Sequence, residues 1–231
     1  MDKPHKFHTP EIEEEDHDAA EIALQRDLNR ILPKDAIIFD VGANRGQFAE
    51  QINGFFDQAT IHSFEPVPSA YKELEALSSR ITKIIPNNLA INVVDGNVDF
   101  FITESDVGSS LLEPIEGQPS KWLQTSQKVT VKAKRLDTII RERNITKIDL
   151  LKSDTQGADL QTLLSAGDYL VPSKINAILV EVNFQNFYKN QCSFSSILDT
   201  LINKGYRLAW MYPHRSHDKW LWWADALFIA K

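Results

Sequence analysis

The residues between Asp40 and Glu65 have the types and the spacing of a nucleotide-binding site. The pattern Asp40-x-Gly42-x-x-x-Gly46 places an acid directly before a loop with a glycine at each end. Glycine lets the backbone approach a ligand closely and tolerates positive φ, where a side chain would clash. Glu65 follows about 20 residues after Gly42, where a carboxylate can bind both hydroxyl groups of a ribose. We therefore identify Asp40, Gly42, Asn44, Gly46 and Glu65 as candidate cofactor-binding residues.

The glycine spacing indicates which nucleotide the loop would bind. The dinucleotide pattern G-x-G-x-x-G needs a second glycine where this chain has Ala43 and Asn44. A P-loop needs a Lys-Ser/Thr pair, and none follows Gly46. An acid before the loop suits a ligand with an amine or a sulfonium cation rather than a diphosphate. The pattern therefore favours S-adenosylmethionine over NAD.

The elements around this loop predict an α/β fold. Ala36–Val41 is a short apolar run, typical of a strand that is buried on both faces of a parallel sheet. Similar runs predict strands at Thr60–Phe64, Thr82–Ile85, Ile148–Lys152 and Lys174–Val182, with helical segments between them. Two last strands, at 206–212 and 221–230, are expected to form an antiparallel hairpin around a turn at 213–219. We expect a doubly wound, mostly parallel sheet that binds its ligands at the carboxyl ends of its strands.

The chain is long enough for one substantial domain. Residues 1–17 are polar and charged and predict a solvated tail, whose histidines lack a consistent metal-ligand spacing. The domain then spans 18–231, with a leading helix within 18–33. Residues 96–134 break the strict alternation of strands and helices and predict a β-rich insertion. Its loop is where we expect substrate contacts or a lid.

Several motifs give the chain a specific resemblance. Residues 39–48 (Phe-Asp-Val-Gly-Ala-Asn-Arg-Gly-Gln-Phe) and 64–68 (Phe-Glu-Pro-Val-Pro) resemble the first two motifs of the FkbM family of S-adenosylmethionine-dependent methyltransferases. Further matches, in the family's order, are Asn88-Leu89-Ala90, Gly96 to Phe100, Ser109-Ser110-Leu111, Arg135-Leu136-Asp137, residues 149–159 and Val180-Glu181-Val182. The resemblance covers roughly residues 36–230. It implies a Rossmann-like class I methyltransferase. It also implies O-methylation, with a hydroxyl of a sugar or another small metabolite as the acceptor.

Two acids at strand ends remain for the chemistry once Asp40 and Glu65 are assigned to the cofactor. A hydroxyl acceptor needs a base within hydrogen-bond reach, and Asp154 and Glu181 both follow core strands. We therefore identify Asp154 as the first catalytic candidate and Glu181 as the second. His214 and His217 lie in a loop that could reach the site, but loop histidines are usually solvated.

The turn after Ile85 and the turn after Asp154 carry two more predictions. Asn88 and Ala90 lie by position at the adenine end of the site, although an asparagine in a turn often bonds backbone instead. The family commonly carries Asp-x-Glu-Gly-x-Glu after the fourth strand, and here Gln156 replaces the second acid. If a divalent cation sits on these carboxylates, Gln156 removes one hard ligand, which argues against a metal requirement.

Composition excludes several classes of protein. The formal net charge of −7, with scattered lysines and arginines, argues against nucleic-acid binding. The single cysteine, Cys192, excludes an internal disulfide and fits a reducing compartment. The amino terminus lacks a signal-peptide pattern, and no apolar run reaches membrane-span length, so we expect a cytoplasmic protein without membrane contact. Four tryptophans cluster at the last hairpin: Trp210, Trp220, Trp222 and Trp223. They could pack within the fold, form a homodimer face or provide a stacking platform for an acceptor.

Two alternatives to the O-methyltransferase remain open at this point. One is an interaction module that keeps the cofactor pocket and has lost catalysis, for which Gln156 is the only indication. The other is an NAD(P)-dependent oxidoreductase, against which the missing middle glycine argues.

Overall fold

The protein is described by a computed structural model that covers residues 14–116, 123–217 and 220–230. Its strands, in chain order, are β1 (Ile37–Val41), β2 (Thr60–Phe64), β3 (Ile84–Asn87), β4 (Ala90–Ile91), β5 (Gly96–Thr103), β6 (Thr125–Lys134), β7 (Ile148–Ser153), β8 (Ile175–Asn183), β9 (Tyr206–His217) and β10 (Trp220–Ala230). Seven of them form one sheet in the order β3-β2-β1-β7-β8-β10-β9. The first five of these pair in parallel, and β10 and β9 add an antiparallel hairpin at one edge. This confirms the predicted fold class.

Helices cover both faces of this sheet. They are α1 (Glu14–Ile31), α2 (Gln47–Phe55), α3 (Pro68–Arg80), α4 (Leu136–Glu142), α5 (Asp159–Leu164) and α6 (Phe194–Asn203). Apolar residues of α1, α2 and α3 share one buried cluster with the sheet, and those of α4, α5 and α6 share another. Strands such as β7, which is buried along its whole length, therefore need apolar side chains on both faces.

A second sheet lies where the sequence predicts an insertion. β5 and β6 pair antiparallel along most of their length, and β4 adds a short parallel partner to β6. The inner face packs Phe100, Val131 and Ala133 against Val67 and Ala70, at the start of α3. This contact places the loop between β5 and β6 above the carboxyl edge of the main sheet.

The ends of the chain differ in part from expectation. α1 begins at Glu14, so residues 14–17 are helical rather than part of a tail, while residues 1–13 lie outside the described part. β9 continues to His217, so the predicted turn at 213–219 is largely strand, and 218–219 are not described. Pro213 lies within β9, an edge strand, where proline is tolerated because such a strand pairs on one side only.

The tryptophans of the hairpin have different environments. The rings of Trp222 and Trp223 pack against Phe187, with centroid distances of 5.8 and 6.2 Å. Trp210 is 60% exposed. Packing therefore accounts for two of these side chains, and Trp223 also faces the cavity described below.

Two further observations concern expected absences. Within the described ranges, no helix has the length and apolarity to cross a membrane. Cys192 is a free, half-buried cysteine, and burial raises the pKa of its thiol to about 11.

Candidate active site

A cavity of about 930 Å³ opens at the carboxyl edge of the main sheet. Its size lies near the upper end of the range for small-molecule sites. The ends of β1, β2, β7, β8 and β10 form its floor, and α1, α2 and the loop between β5 and β6 form its walls. The lining polar residues include Asn44, Glu65, Ser109, Lys152, Asp154, Gln156, Glu181, Asn183 and Asp225.

The loop after β1 is shaped by the close approach of the strand beside it. Gly42 has φ +76°, and a Cβ there would lie 1.8 Å from the carbonyl oxygen of Asp154. Gly42 and Asn44 both line the cavity, as the cofactor prediction requires. Gly46 does not; with φ +93° it precedes α2, where a Cβ would collide with Leu77 of α3. Its glycine is therefore explained by helix packing.

Glu65 lines the cavity and also fixes the loop. Its carboxylate accepts hydrogen bonds from the backbone N–H of Asn44 at 2.9 Å and of Val67 at 2.7 Å. Burial raises the pKa of Glu65 to about 7, although these two hydrogen bonds favour the ionised form. A carboxylate oxygen has lone pairs beyond one hydrogen bond, so Glu65 can also accept from a ligand.

The turn after β3 separates two predicted residues. Ala90 lines the cavity together with its neighbours Leu89 and Ile91, which makes this part of the wall apolar. Asn88 does not line it; its side-chain amide donates to the carbonyl oxygens of Glu65 and Pro66. Asn88 thus supports the segment that carries Glu65, the backbone role that an asparagine in a turn commonly has.

Asp40 lies behind the cavity wall. It is fully buried and does not line the cavity. Lys152, at the end of β7, places Nζ 3.4 Å from Asp40 Oδ1, 3.5 Å from Asp154 Oδ2 and 3.3 Å from the carbonyl oxygen of Gly42. The cation beside Asp40 in this structure is therefore Lys152.

Lys152 lines the cavity and was not identified by the sequence analysis. Burial opposes its charge, but the carboxylates of Asp154 and Asp40 raise the pKa of Lys152 above its ordinary value. Burial also raises the pKa of Asp40, which Lys152 counteracts. The available signal was a lysine within β7, a strand whose other residues before Ser153 are apolar except Asp149.

Asp154 and Glu181, the predicted catalytic pair, are brought together at the cavity. The side chain of Asp154 is 34% exposed, whereas Glu181 is buried. Burial and then the charges of Asp154, Asp159 and Asp225 raise the pKa of Glu181 well above its ordinary value. This favours the protonated form of Glu181, which can donate a hydrogen bond.

The loop between β5 and β6 covers one side of the cavity and is held at three points. Arg45 of the glycine loop pairs with Asp106 at 2.8 Å. The Ser110 hydroxyl donates to the carbonyl oxygen of Gln156 at 2.8 Å. The Tyr188 hydroxyl lies 2.9 Å from the carbonyl oxygen of Gly108. This places the loop between the residues predicted to bind the cofactor and those predicted to be catalytic, as a substrate-contacting segment or lid requires.

No group of three or more His, Cys, Asp or Glu side chains within the described ranges is arranged to hold a metal ion. The histidine-bearing residues 1–13 fall outside those ranges, as do the side chains of His214 and His217.

Known proteins match both the sequence and the fold. The Methyltransferase FkbM domain matches residues 40–208. The 2-O-methyltransferase NoeI of Sinorhizobium fredii is 26% identical over 189 residues, which cover 78% of this chain and 77% of NoeI. The hexuronic acid methyltransferase AglP of Haloferax volcanii is 23% identical over 164 residues, covering 69% of this chain and 62% of AglP. Among solved structures, Aeropyrum pernix fibrillarin with bound S-adenosyl-L-methionine aligns with a TM-score of 0.50 and 11% identity, covering 86% of this chain and 68% of fibrillarin.

Proposed function

Because this chain belongs to the FkbM family of S-adenosylmethionine-dependent methyltransferases, we propose that it transfers the methyl group to a hydroxyl of a sugar or another small metabolite. The observation that carries this proposal is the continuity of one cavity. Its wall runs from the glycine loop and Glu65 to the carboxylates of Asp154 and Glu181. Donor and acceptor can therefore meet within the same cavity, as in-line transfer requires.

The cofactor roles follow from the cavity wall. The backbone of Gly42 and Asn44 faces the space where the cofactor would lie, and Glu65 would bind the ribose hydroxyls. The apolar wall at Leu89 and Ala90 would contact the adenine ring. Three further residues would act indirectly. Asp40 would act by pairing with Lys152, Gly46 by allowing α2 to pack on α3, and Asn88 by holding the segment that carries Glu65.

Asp154 is the residue that we assign as the base. It lines the cavity, is partly exposed and lies 3.5 Å from Lys152 Nζ. An ionised carboxylate within reach of a hydroxyl can accept its proton as the oxygen attacks the methyl group. Glu181, in its protonated form, would orient the acceptor by donating to one of its oxygens.

A sugar acceptor is supported by the rest of the wall and by the relatives. Gln156, Asn183 and Asp225 add polar groups, and Trp223 adds an aromatic surface, a combination that suits a ligand with several hydroxyls. Two relatives are named as a 2-O-methyltransferase and a hexuronic acid methyltransferase.

The test is methyl transfer over a panel of sugars, glycans and natural-product alcohols. S-adenosylhomocysteine formation and product mass would be followed by mass spectrometry, with Asp154→Asn as the catalytic control. We expect a methylated hydroxyl product and at least a 100-fold lower rate in the variant, the usual contribution of a general base. Binding of S-adenosylhomocysteine without turnover on any acceptor would favour the interaction module. Methylation of a nitrogen or carbon atom would refute the assigned acceptor group.

A further inference from the structure

The side chain of Gln156 links the two catalytic candidates. Its Nε2 donates to Asp154 Oδ1 at 2.8 Å and to Glu181 Oε2 at 3.1 Å. Its Oε1 lies 3.0 Å from the hydroxyl of Tyr188, which can donate to it. Both N–H groups of the amide are therefore used, and its carbonyl oxygen shares the single hydroxyl proton of Tyr188 with the carbonyl oxygen of Gly108. Only one orientation of the amide gives both carboxylates a donor.

The turn that carries Gln156 is held in an unusual conformation. Gln156 has φ +55° and Gly157 has φ +87°, so two successive residues lie in the left-handed region. A residue other than glycine rarely adopts the left-handed conformation unless its surroundings enforce that conformation. Asp159 supplies that enforcement: it accepts from Ser153 Oγ at 2.6 Å, from Thr155 N at 3.0 Å and from Gly157 N at 3.2 Å. The buried side chain of Asp159 thus stabilises the turn that presents Gln156.

The charges around this amide explain why its neutrality matters. Asp154, Glu181 and Asp225 line the cavity here, Asp159 lies behind the turn, and Lys152 pairs with Asp154. An ionised group between Asp154 and Glu181 would add repulsion to two carboxyls that already influence each other. An amide donates to both without adding charge.

We propose that Gln156 is a positioning residue, which ties the Asp154 carboxylate to Glu181 and so holds it toward the acceptor hydroxyl. This inference rests on the proposed O-methyl transfer. It implies that Gln156 affects the chemical step and leaves cofactor affinity unchanged, since Gln156 lies on the acceptor side of the cavity. It also implies that Tyr188 acts through Gln156, by fixing which end of the amide faces the carboxylates.

The test compares Gln156→Met, which keeps the length and removes the donors, with Gln156→Glu, which adds a charge. Gln58→Glu is the matched control, because Gln58 is exposed and lies outside the cavity. In Gln156→Met we expect kcat to fall about 10- to 100-fold, the effect of misplacing a reacting group, with S-adenosylhomocysteine affinity within about threefold of wild type. In Gln156→Glu we expect the activity relative to wild type to rise as the pH falls, because a protonated glutamate again offers a donor.

A second measurement needs no acceptor. The carboxyl ¹³C resonance of Glu181, assigned by its loss in Glu181→Gln, is titrated in wild type, Gln156→Glu and Gln58→Glu. A new carboxylate in contact with Glu181 should raise the pKa of Glu181 by about 1. The Gln58→Glu control should leave it unchanged.

These measurements separate the two claims. If the wild type methylates no acceptor, the proposed reaction fails, and the Glu181 titration still decides whether Gln156 links the carboxylates. An unchanged Glu181 titration in Gln156→Glu would overturn the inference whatever the activity. A pH profile of Gln156→Glu that parallels wild type would overturn the positioning role.

Discussion

Glu65 is held in a state that costs stability, and Glu65→Gln should reveal that cost. Burial raises its pKa from 4.5 to about 7 in the folded protein. The folded and unfolded pKa values differ by about 2.5. Because one pKa unit corresponds to about 1.4 kcal/mol, this difference corresponds to about 3 kcal/mol of stability. Glutamine has nearly the shape of the protonated side chain and carries no charge. Its amide nitrogen cannot accept the backbone hydrogen bond that one carboxylate oxygen of Glu65 accepts, so the variant should lose about 1–3 kcal/mol at every pH. It should also lack the fall in stability that ionisation of Glu65 causes.

The pH dependence has a definite direction. Between pH 4.5 and about 7 the folded protein holds a proton on Glu65 that the unfolded chain has released. The contribution of Glu65 is thus fully present below pH 4.5 and is lost as the pH rises through 7. The free energy of unfolding of Glu65→Gln, taken relative to that of wild type, should therefore rise by about 3 kcal/mol between pH 4.5 and pH 8.5, measured by urea unfolding.

Cofactor affinity should change in the opposite sense. An ionised carboxylate that accepts from ribose hydroxyls makes charge-assisted bonds, which are worth about 1.5–3 kcal/mol. Glu65→Gln should therefore weaken S-adenosylhomocysteine binding about 10- to 100-fold at pH 8.5, measured by calorimetric titration. Wild-type affinity should fall as the pH drops below 7. Parallel stability curves for the two proteins between pH 4.5 and 8.5 would refute the account of Glu65, and an unchanged affinity would refute its ribose role.

Two other changes test the floor of the cavity. Gly42→Ala should abolish S-adenosylhomocysteine binding, because its Cβ would lie 1.8 Å from the Asp154 carbonyl oxygen. The control Gly54→Ala, within α2 and with no atom within 4 Å of the new Cβ, should keep the affinity and gain about 0.5–1 kcal/mol; equal affinities in both variants would contradict the steric argument. Lys152→Met should cost about 3–5 kcal/mol in urea unfolding, because it leaves the buried Asp40 carboxyl without its cationic partner. Adding Asp40→Asn should recover most of that loss, and strictly additive effects would show that the two side chains do not form a pair.

The fold could be predicted because its signals are local. The apolar runs that form β1, β2, β7 and β8 are buried on both faces, so each run alone indicates a central parallel strand. The glycine loop is equally local: Gly42 and Asn44 face the cavity, as their position after β1 implies. The family resemblance then ordered these elements along the chain.

The contacts that the sequence did not reveal involve side chains whose partners lie far away in the sequence. Asp40 was expected to meet a cationic ligand, but its partner is Lys152, which β7 brings beside β1. Gly46 is explained by a contact with α3, and Asn88 by the carbonyl oxygens before it. The turn of Gln156 depends on Asp159 and on Tyr188, a residue in another loop. Spacing identifies which residues reach the sheet edge, and only packing decides which of them face the cavity.

The charges at this edge suit a cationic methyl donor. Six of the described residues that line the cavity are acidic, and Lys152, engaged by Asp40 and Asp154, is the one basic residue among them. Burial raises the pKa of Glu65 and of Glu181, which favours their protonated forms. The sulfonium charge of S-adenosylmethionine would lower the cost of ionising these groups. Methyl transfer removes that charge. The carboxyl groups that attract the sulfonium of the donor therefore attract the uncharged sulfur of the product less, which favours product release.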